Sequence, residues 1–273
     1  MELNELLTRR CTLPSLPRAV ALLTAELARP EPSLRRVNRY FCIDPALAAD
    51  LLREANAASC GLPGQVCGVA EALVLLDVAQ LRAVVAQACV GIPSRSVPGI
   101  DLLSFWRYSL NTAKLAHTLA GLVRQNQAAA YSVGLLHGLG EIVLHLLDPH
   151  GSHGISTTKV APLHLRRAKS EQRAWGYSYA QVSAGLAARL WHLPQALTDA
   201  LQYHTAPFNG DVYEPLAGVL HLAAWRARAC ETGLGERELA ATFPGEVGVA
   251  LGMDIDMVLQ QDPIDWAAQF DAV

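Results

Sequence analysis

The stretch DPALAADLLREANAASCGLPG, residues 44–64, holds a helix start, a helix face and a helix stop in that order. Asp44 brings a carboxylate to the first free amide groups, and Pro45 takes the first helical position, where its missing N–H costs nothing. Leu47, Ala48, Leu51, Leu52 and Ala55 then repeat on one side, the spacing of a helix with one buried face. A helix over residues 44–59 is predicted, stopped before CGLPG.

Working outward, the same grammar recurs. Upstream, SLRRVNRYFC follows the PEP break, and Ser33 is the predicted cap. Downstream, in VAEALVLLDVAQLRAVVAQACVG, Asp77 followed by Gln80 reads as a capping box, so two short helices are expected to meet at Asp77. The segment IPSRSVPGI, residues 92–100, then interrupts the helical pattern and is the expected joint between two bundles. Beyond it lie a long predicted helix over residues 101–125 and the apolar helix YSVGLLHGLGEIVLHL, residues 131–146. Period-2 strand patterns and internal repeats are absent. The predicted class is all-α: residues 1–94 form an N-terminal helical bundle, and residues 95–273 a second bundle with a helical extension.

Composition sets the context. The 273 residues are 51% hydrophobic but only 6% aromatic, a balance that suits packed helices better than a sandwich or barrel. A net charge of −3 gives no general attraction to nucleic acid or anionic lipid. The basic clusters Arg35/Arg36/Arg39 and Arg166/Arg167/Lys169 are read as solvated helix faces. No apolar run is judged long enough to span a membrane, and the N-terminus lacks a secretory core, so the expected location is the cytosol. The six cysteines form no C-x-x-C pair and read as reduced, small packing residues.

LPSLPRAVALL, DPALAADLLREAN with CGLPG, VAEALVLLDVAQLR, FWRYSL, GLLHGLGEIVL and ALQYHTAP stand in the order and spacing of HDOD domains, bacterial signalling relatives of the HD phosphohydrolases. The chain resembles that family over about residues 13–222, and the resemblance makes the second bundle HD-like. In active HD enzymes a histidine, a His-Asp pair and a later aspartate hold divalent metal, which activates water against a phosphoester. Mapped by this resemblance, the first histidine is Tyr108, the pair is His137 and Gly138, and the late aspartate is Ala224. His204 matches a histidine common in the family. Where HD enzymes often carry a phosphate-meeting lysine stands Glu141, an anion expected to repel phosphate.

Two imidazoles without a carboxylate make a poor site for a hard cation. The expectation is therefore a degenerate pocket of Tyr108, His137, Gly138, Glu141, His204 and Ala224, with no catalytic residue, metal or cofactor. His145, Asp148, His150 and His153 are close enough in sequence to gather zinc or nickel, but read as a polar loop. Past residue 222, Pro263 reads as a capped helix start, with Trp266 and Phe270 on one face of a closing helix.

The resemblance implies a non-enzymatic signalling protein that binds other signalling proteins, in circuits that include cyclic-dinucleotide turnover; from charge and hydropathy, neither nucleic acid nor membrane is an expected partner. Two alternatives stand beside it: a nucleotide sensor using the degenerate pocket, and a phosphohydrolase with a rearranged metal site.

Overall fold

A computed structural model describes residues 2–9, 11–90, 96–149, 151 and 167–261. These residues form helices and connecting turns without a strand, and an isolated bridge joins Val97 to Ile100. The N-terminal part contains α1 (Leu3–Thr8), α2 (Pro17–Leu27), α3 (Leu34–Cys42), α4 (Pro45–Ala55), α5 (Val69–Leu75) and α6 (Val78–Val90). The second part contains α7 (Leu102–Leu122), α8 (Gln127–Leu136), α9 (Leu139–Leu147), α10 (Arg167–Trp175), α11 (Tyr179–Arg189), α12 (Gln195–Tyr203) and α13 (Pro215–Thr232). Short helices α14 (Glu236–Thr242), α15 (Gly245–Leu251) and α16 (Ile255–Leu259) follow and fold back on α13.

α4 begins as its sequence dictates. Asp44 is fully buried; one carboxylate oxygen accepts the Leu47 amide at 2.9 Å and the other accepts the amide of Leu16, just ahead of α2. A single cap thus fixes α4 and the start of α2 together. Leu47, Ala48, Leu51, Leu52 and Ala55 are all buried. The helix ends at Ala55, short of the predicted Ser59, because Asn56 turns inward. Its amide group donates to the Leu52 and Val66 carbonyls, both at 3.0 Å, and its oxygen accepts the Val66 amide at 2.9 Å. This buried carboxamide holds the end of the CGLPG loop against α4, a better use of its three polar sites than another helical turn.

The Asp77 capping box is present, with Asp77 N–H donating to Gln80 at 2.9 Å and Gln80 N–H to Asp77 at 2.8 Å. Ser33 occupies the predicted start of α3 but makes no side-chain cap. Glu26 of α2 takes that role: its carboxylate accepts the Ser33 amide at 2.7 Å and pairs with Arg36 at 2.8 Å. α7 stops at Leu122 instead of residue 125, because Arg124 turns left-handed (φ 58). Residues 131–146 belong to two helices, α8 and α9, separated by a turn at His137 and Gly138.

Gln127–Leu147 together have the length and composition of a membrane span, a match the sequence reading did not make, but 83% of the apolar window is buried inside the fold. The expected joint lies partly in residues 91–95, outside the described residues, as do Arg166, His150, His153, Pro263, Trp266 and Phe270. The buried core runs without interruption from Leu6 to Val258. α4 packs on α8, and α1 reaches over to α11, where Leu7 lies against Gly185.

Asp44→Ala leaves the buried Leu47 amide and the part-buried Leu16 amide without this acceptor. It should lower unfolding free energy by about 2–4 kcal/mol, read from denaturant melts.

Candidate functional site

The site expected from the sequence forms where α7, α8, α11, α12 and α13 converge. Tyr108 projects from α7, His137 closes α8, His204 closes α12, and Ala224 sits in the middle of α13. The Tyr108 and His137 rings lie 5.5 Å apart, as do the rings of His137 and His204. The sequence-predicted residues Tyr108, His137, His204 and Ala224 are therefore brought together. Tyr108 donates its phenol hydrogen to the Ala224 carbonyl at 3.1 Å, so the residue in the expected aspartate position contributes backbone instead of a carboxylate. Gly138 is buried and heads α9.

Each histidine is tied through Nδ1. Those of His137 and His204 donate to the carbonyls of Gly134 (2.6 Å) and Leu201 (2.8 Å). His221, which the sequence reading did not single out, donates to His204 O at 2.6 Å. These bonds leave the Nε2 lone pairs pointing away from the backbone, the tautomer suited to a metal ligand. His204 Nε2 accepts from Tyr179 at 3.2 Å, whereas His137 Nε2 is buried with no hydrogen-bond partner.

The charge at this centre comes from Arg228, one helical turn beyond Ala224. Its guanidinium donates to the Tyr108 hydroxyl at 3.3 Å and lies 6.0 Å from that ring. Burial, and secondarily this cation, hold the His137 imidazole at a pKa of about 4; His204 is pushed well below its usual range by burial and by His137. The rings are thus neutral at pH 7. A cavity of about 30 Å3 opens between Tyr179, His204, His221, Ala224 and Arg228, room for a water but not for a nucleotide.

The residues do not fit a divalent metal. The unpartnered Nε2 of His137 is one remaining donor, but no carboxylate stands at Tyr108, Gly138 or Ala224, and a fixed cation lies beside them. Among the described residues, no group of three or more His, Cys, Asp and Glu side chains is placed to hold a metal ion.

Glu141 departs from its expected role. It is buried in the first turn of α9 and pairs with Arg167 at 2.6 Å, so its charge is matched by a cation instead of standing against an incoming phosphate. Arg167, read from sequence as part of a solvated face, is itself buried. It also meets Glu171 at 2.6 Å and His145 Nε2 at 2.9 Å. His145, assigned to a polar loop, is inside α9 and donates through Nδ1 to Pro98 O at 2.6 Å. Asp148 accepts the Gly151 amide at 3.0 Å and is separate from that cluster.

Sequence reasoning missed Tyr179, His221, Arg228 and the Arg167 cluster. Arg228 had a signal: it lies four positions after Ala224, hence on the same helical face.

Two comparisons place this geometry among known proteins. The HDOD domain profile matches residues 13–207. The MmoQ response regulator of Methylococcus capsulatus superposes with a TM-score of 0.70 at 21% identity, over 93% of this chain and 100% of that one. A Shewanella amazonensis protein named as a phosphohydrolase matches at TM-score 0.54 and 26% identity, covering 95% and 92%. An HDOD domain protein of Geobacter sulfurreducens gives 0.52 and 21%, covering 99% and 92%. No curated protein sequence matches the chain.

The site sets a pH response. An unfolded histidine takes its proton near 6.5, while folded His137 does so near 4, so acidification through that window favours unfolding. Asp44, raised by burial to about 6, acts in the opposite sense, which makes the comparison with a variant the informative one. The stability advantage of wild type over His137→Gln should shrink by up to about 3 kcal/mol between pH 7 and pH 4 in paired denaturant melts.

Proposed function

We propose that this chain, which belongs to the HDOD domain family, is a non-enzymatic signalling protein that acts by binding other signalling proteins. The observation that carries the reading is the state of the old centre. The tyrosine hydroxyl bonds to a backbone carbonyl, a guanidinium stands beside it, and the neighbouring cavity holds about 30 Å3. Phosphoester hydrolysis on a hard divalent cation draws on carboxylates to hold and balance the metal, and on room for the ester. No carboxylate stands at Tyr108, Gly138 or Ala224, and the neighbouring cavity takes a water but not a phosphoester.

The same volume argues against a nucleotide sensor at the degenerate pocket, since ligand pockets of that class run to roughly 300–1,000 Å3. The phosphohydrolase reading has the name of the Shewanella amazonensis relative in its favour. Against it stand the three side chains that differ from the HD ligand set, Tyr108, Gly138 and Ala224. A signalling role agrees with the family and with the response-regulator name of the Methylococcus capsulatus relative, and location in the cytosol would suit it. With the chemistry gone, the helical exterior is left to act, through recognition of partner proteins in regulatory circuits, including those of cyclic dinucleotides.

Purified protein offered manganese or nickel should retain no stoichiometric metal after desalting and should hydrolyse bis(p-nitrophenyl) phosphate no faster than His137→Ala. Immobilised chain should enrich a protein bearing a signalling module, equally well with His137→Ala. Metal-dependent turnover that disappears in His137→Ala would overturn the reading.

A further inference from the structure

A concavity separate from the His137 centre lies where the segment ahead of α2, with α4 and α6, meets α9 and α11. Its volume is about 310 Å3, at the lower end of the range that encloses a small ligand. The lining divides by element. Val143 of α9, with Leu186, Leu190 and Trp191 at the end of α11, supplies apolar surface, while Asp50 and Arg53 of α4 and Gln87 of α6 supply polar groups.

The walls are held in place. Trp191 is buried; its amide donates to the Leu186 carbonyl at 3.0 Å, and the chain turns left-handed at His192 (φ 51) just beyond it. On the polar side Arg53 Nη2 crosses from α4 to α6 and donates to Gln87 Oε1 at 2.7 Å. Such a pocket is preformed, and a ligand would not have to order it.

Among the described residues that line it, Asp50 and Arg53 carry the charges, one of each sign. They stand three apart on α4, but their mutual contact is loose. Arg53 Nη2 lies 3.3 Å from Asp50 Oδ1, longer than the roughly 2.7–2.9 Å of a charge-assisted hydrogen bond. Both contacts of Arg53 use Nη2, so the N–H groups on Nε and Nη1 remain for another acceptor. Both side chains are partly buried, and burial raises the Asp50 carboxyl above its usual range, a penalty that a second cation beside it would reduce. A purely cationic ligand would face Arg53, and a purely anionic one Asp50. A ligand that carries both charges close together answers both groups at once. An α-amino acid has that arrangement, with its ammonium and carboxylate on one carbon, and the apolar lining suits an apolar side chain.

We infer that this pocket binds a free α-amino acid with an apolar side chain, its ammonium on Asp50, its carboxylate on Arg53 and its side chain against Leu186, Leu190 and Trp191. The inference adds a ligand input to a protein whose His137 centre has no room for one. The occupant touches α4 and α6 of the N-terminal part and α9 and α11 of the second part. It can thereby bias how the two parts present their outer faces.

The test is calorimetric titration of the full chain with leucine, valine, methionine and phenylalanine in turn, at pH 7. At least one should bind with Kd below about 1 mM. Three analogues of that amino acid should bind at least tenfold more weakly: its amide, which lacks the carboxylate; its deaminated acid, which lacks the ammonium; and glycine, which lacks the apolar side chain. Asp50→Asn and Arg53→Gln should each weaken binding at least tenfold, and the remote exposed Arg237→Gln should leave it unchanged. Thermal melting confirms that each variant is folded; if either pocket variant is not, the analogues decide without it. No binding by any of the four amino acids, equal binding of the amide or the deaminated acid, or binding that a folded Asp50→Asn or Arg53→Gln leaves intact overturns the proposal.

Discussion

The backbone of α9 lies directly on that of α11 at Gly140, and the rest of the second bundle is arranged around that contact. A Cβ at Gly140 would stand 2.1 Å from the Tyr179 carbonyl oxygen and 2.8 Å from Ser183 N, far inside any tolerable approach. Ser183 seals the contact: its hydroxyl accepts the Gly140 amide at 2.9 Å and donates to the His137 carbonyl at 2.8 Å. The residue that lets the helices touch therefore also fixes the turn on which His137 sits. Tyr179, on the other side of the contact, reaches His204. Backbone proximity and a buried serine hold this geometry.

Charge is managed in two separate compartments. Beside Tyr108, Arg228 sits among neutral rings, which burial keeps unprotonated. One turn further along α9, Arg167 sits between Glu141 and Glu171, with His145 as a further partner. Such a buried cluster gains little net stability over apolar packing, but it tolerates few alternatives, since removing one member strands the others. It links α9 and α10 and, through Pro98 and the Tyr179 amide, the joint segment and α11. Its value is in fixing the relative placement of these elements.

The parts that were legible in sequence are those decided locally. Asp44 with Pro45, the Asp77/Gln80 box and the apolar face of α4 need only near neighbours, and each is found where the residues put it. Tyr108, His137, Ala224 and His204 could be gathered only because a family pattern supplied the long-range pairing. Ser33 and Arg167 were misread for a common reason. The partner of each comes from another element, Glu26 of α2 for one and Glu141 of α9 for the other. A charged residue in a polar stretch looks solvated until the fold brings a second charge to it. The early end of α4 has the same origin, because Asn56 finds its partners at Val66 across the loop.

The cysteines carry this point further. All six cysteines are free; Cys42 and Cys67 do their work largely through their backbone carbonyls, which receive Tyr131 and Ser132 of α8. No side-chain motif announces such contacts, yet they set the distance between the two halves and thus the shape of the space between them. Around Tyr108, His137 and His204 the packing leaves a cavity of only about 30 Å3, beside the fixed charge of Arg228. The space between α3, α5, α7 and α8 is the larger one, about 770 Å3, and these carbonyl contacts hold its walls.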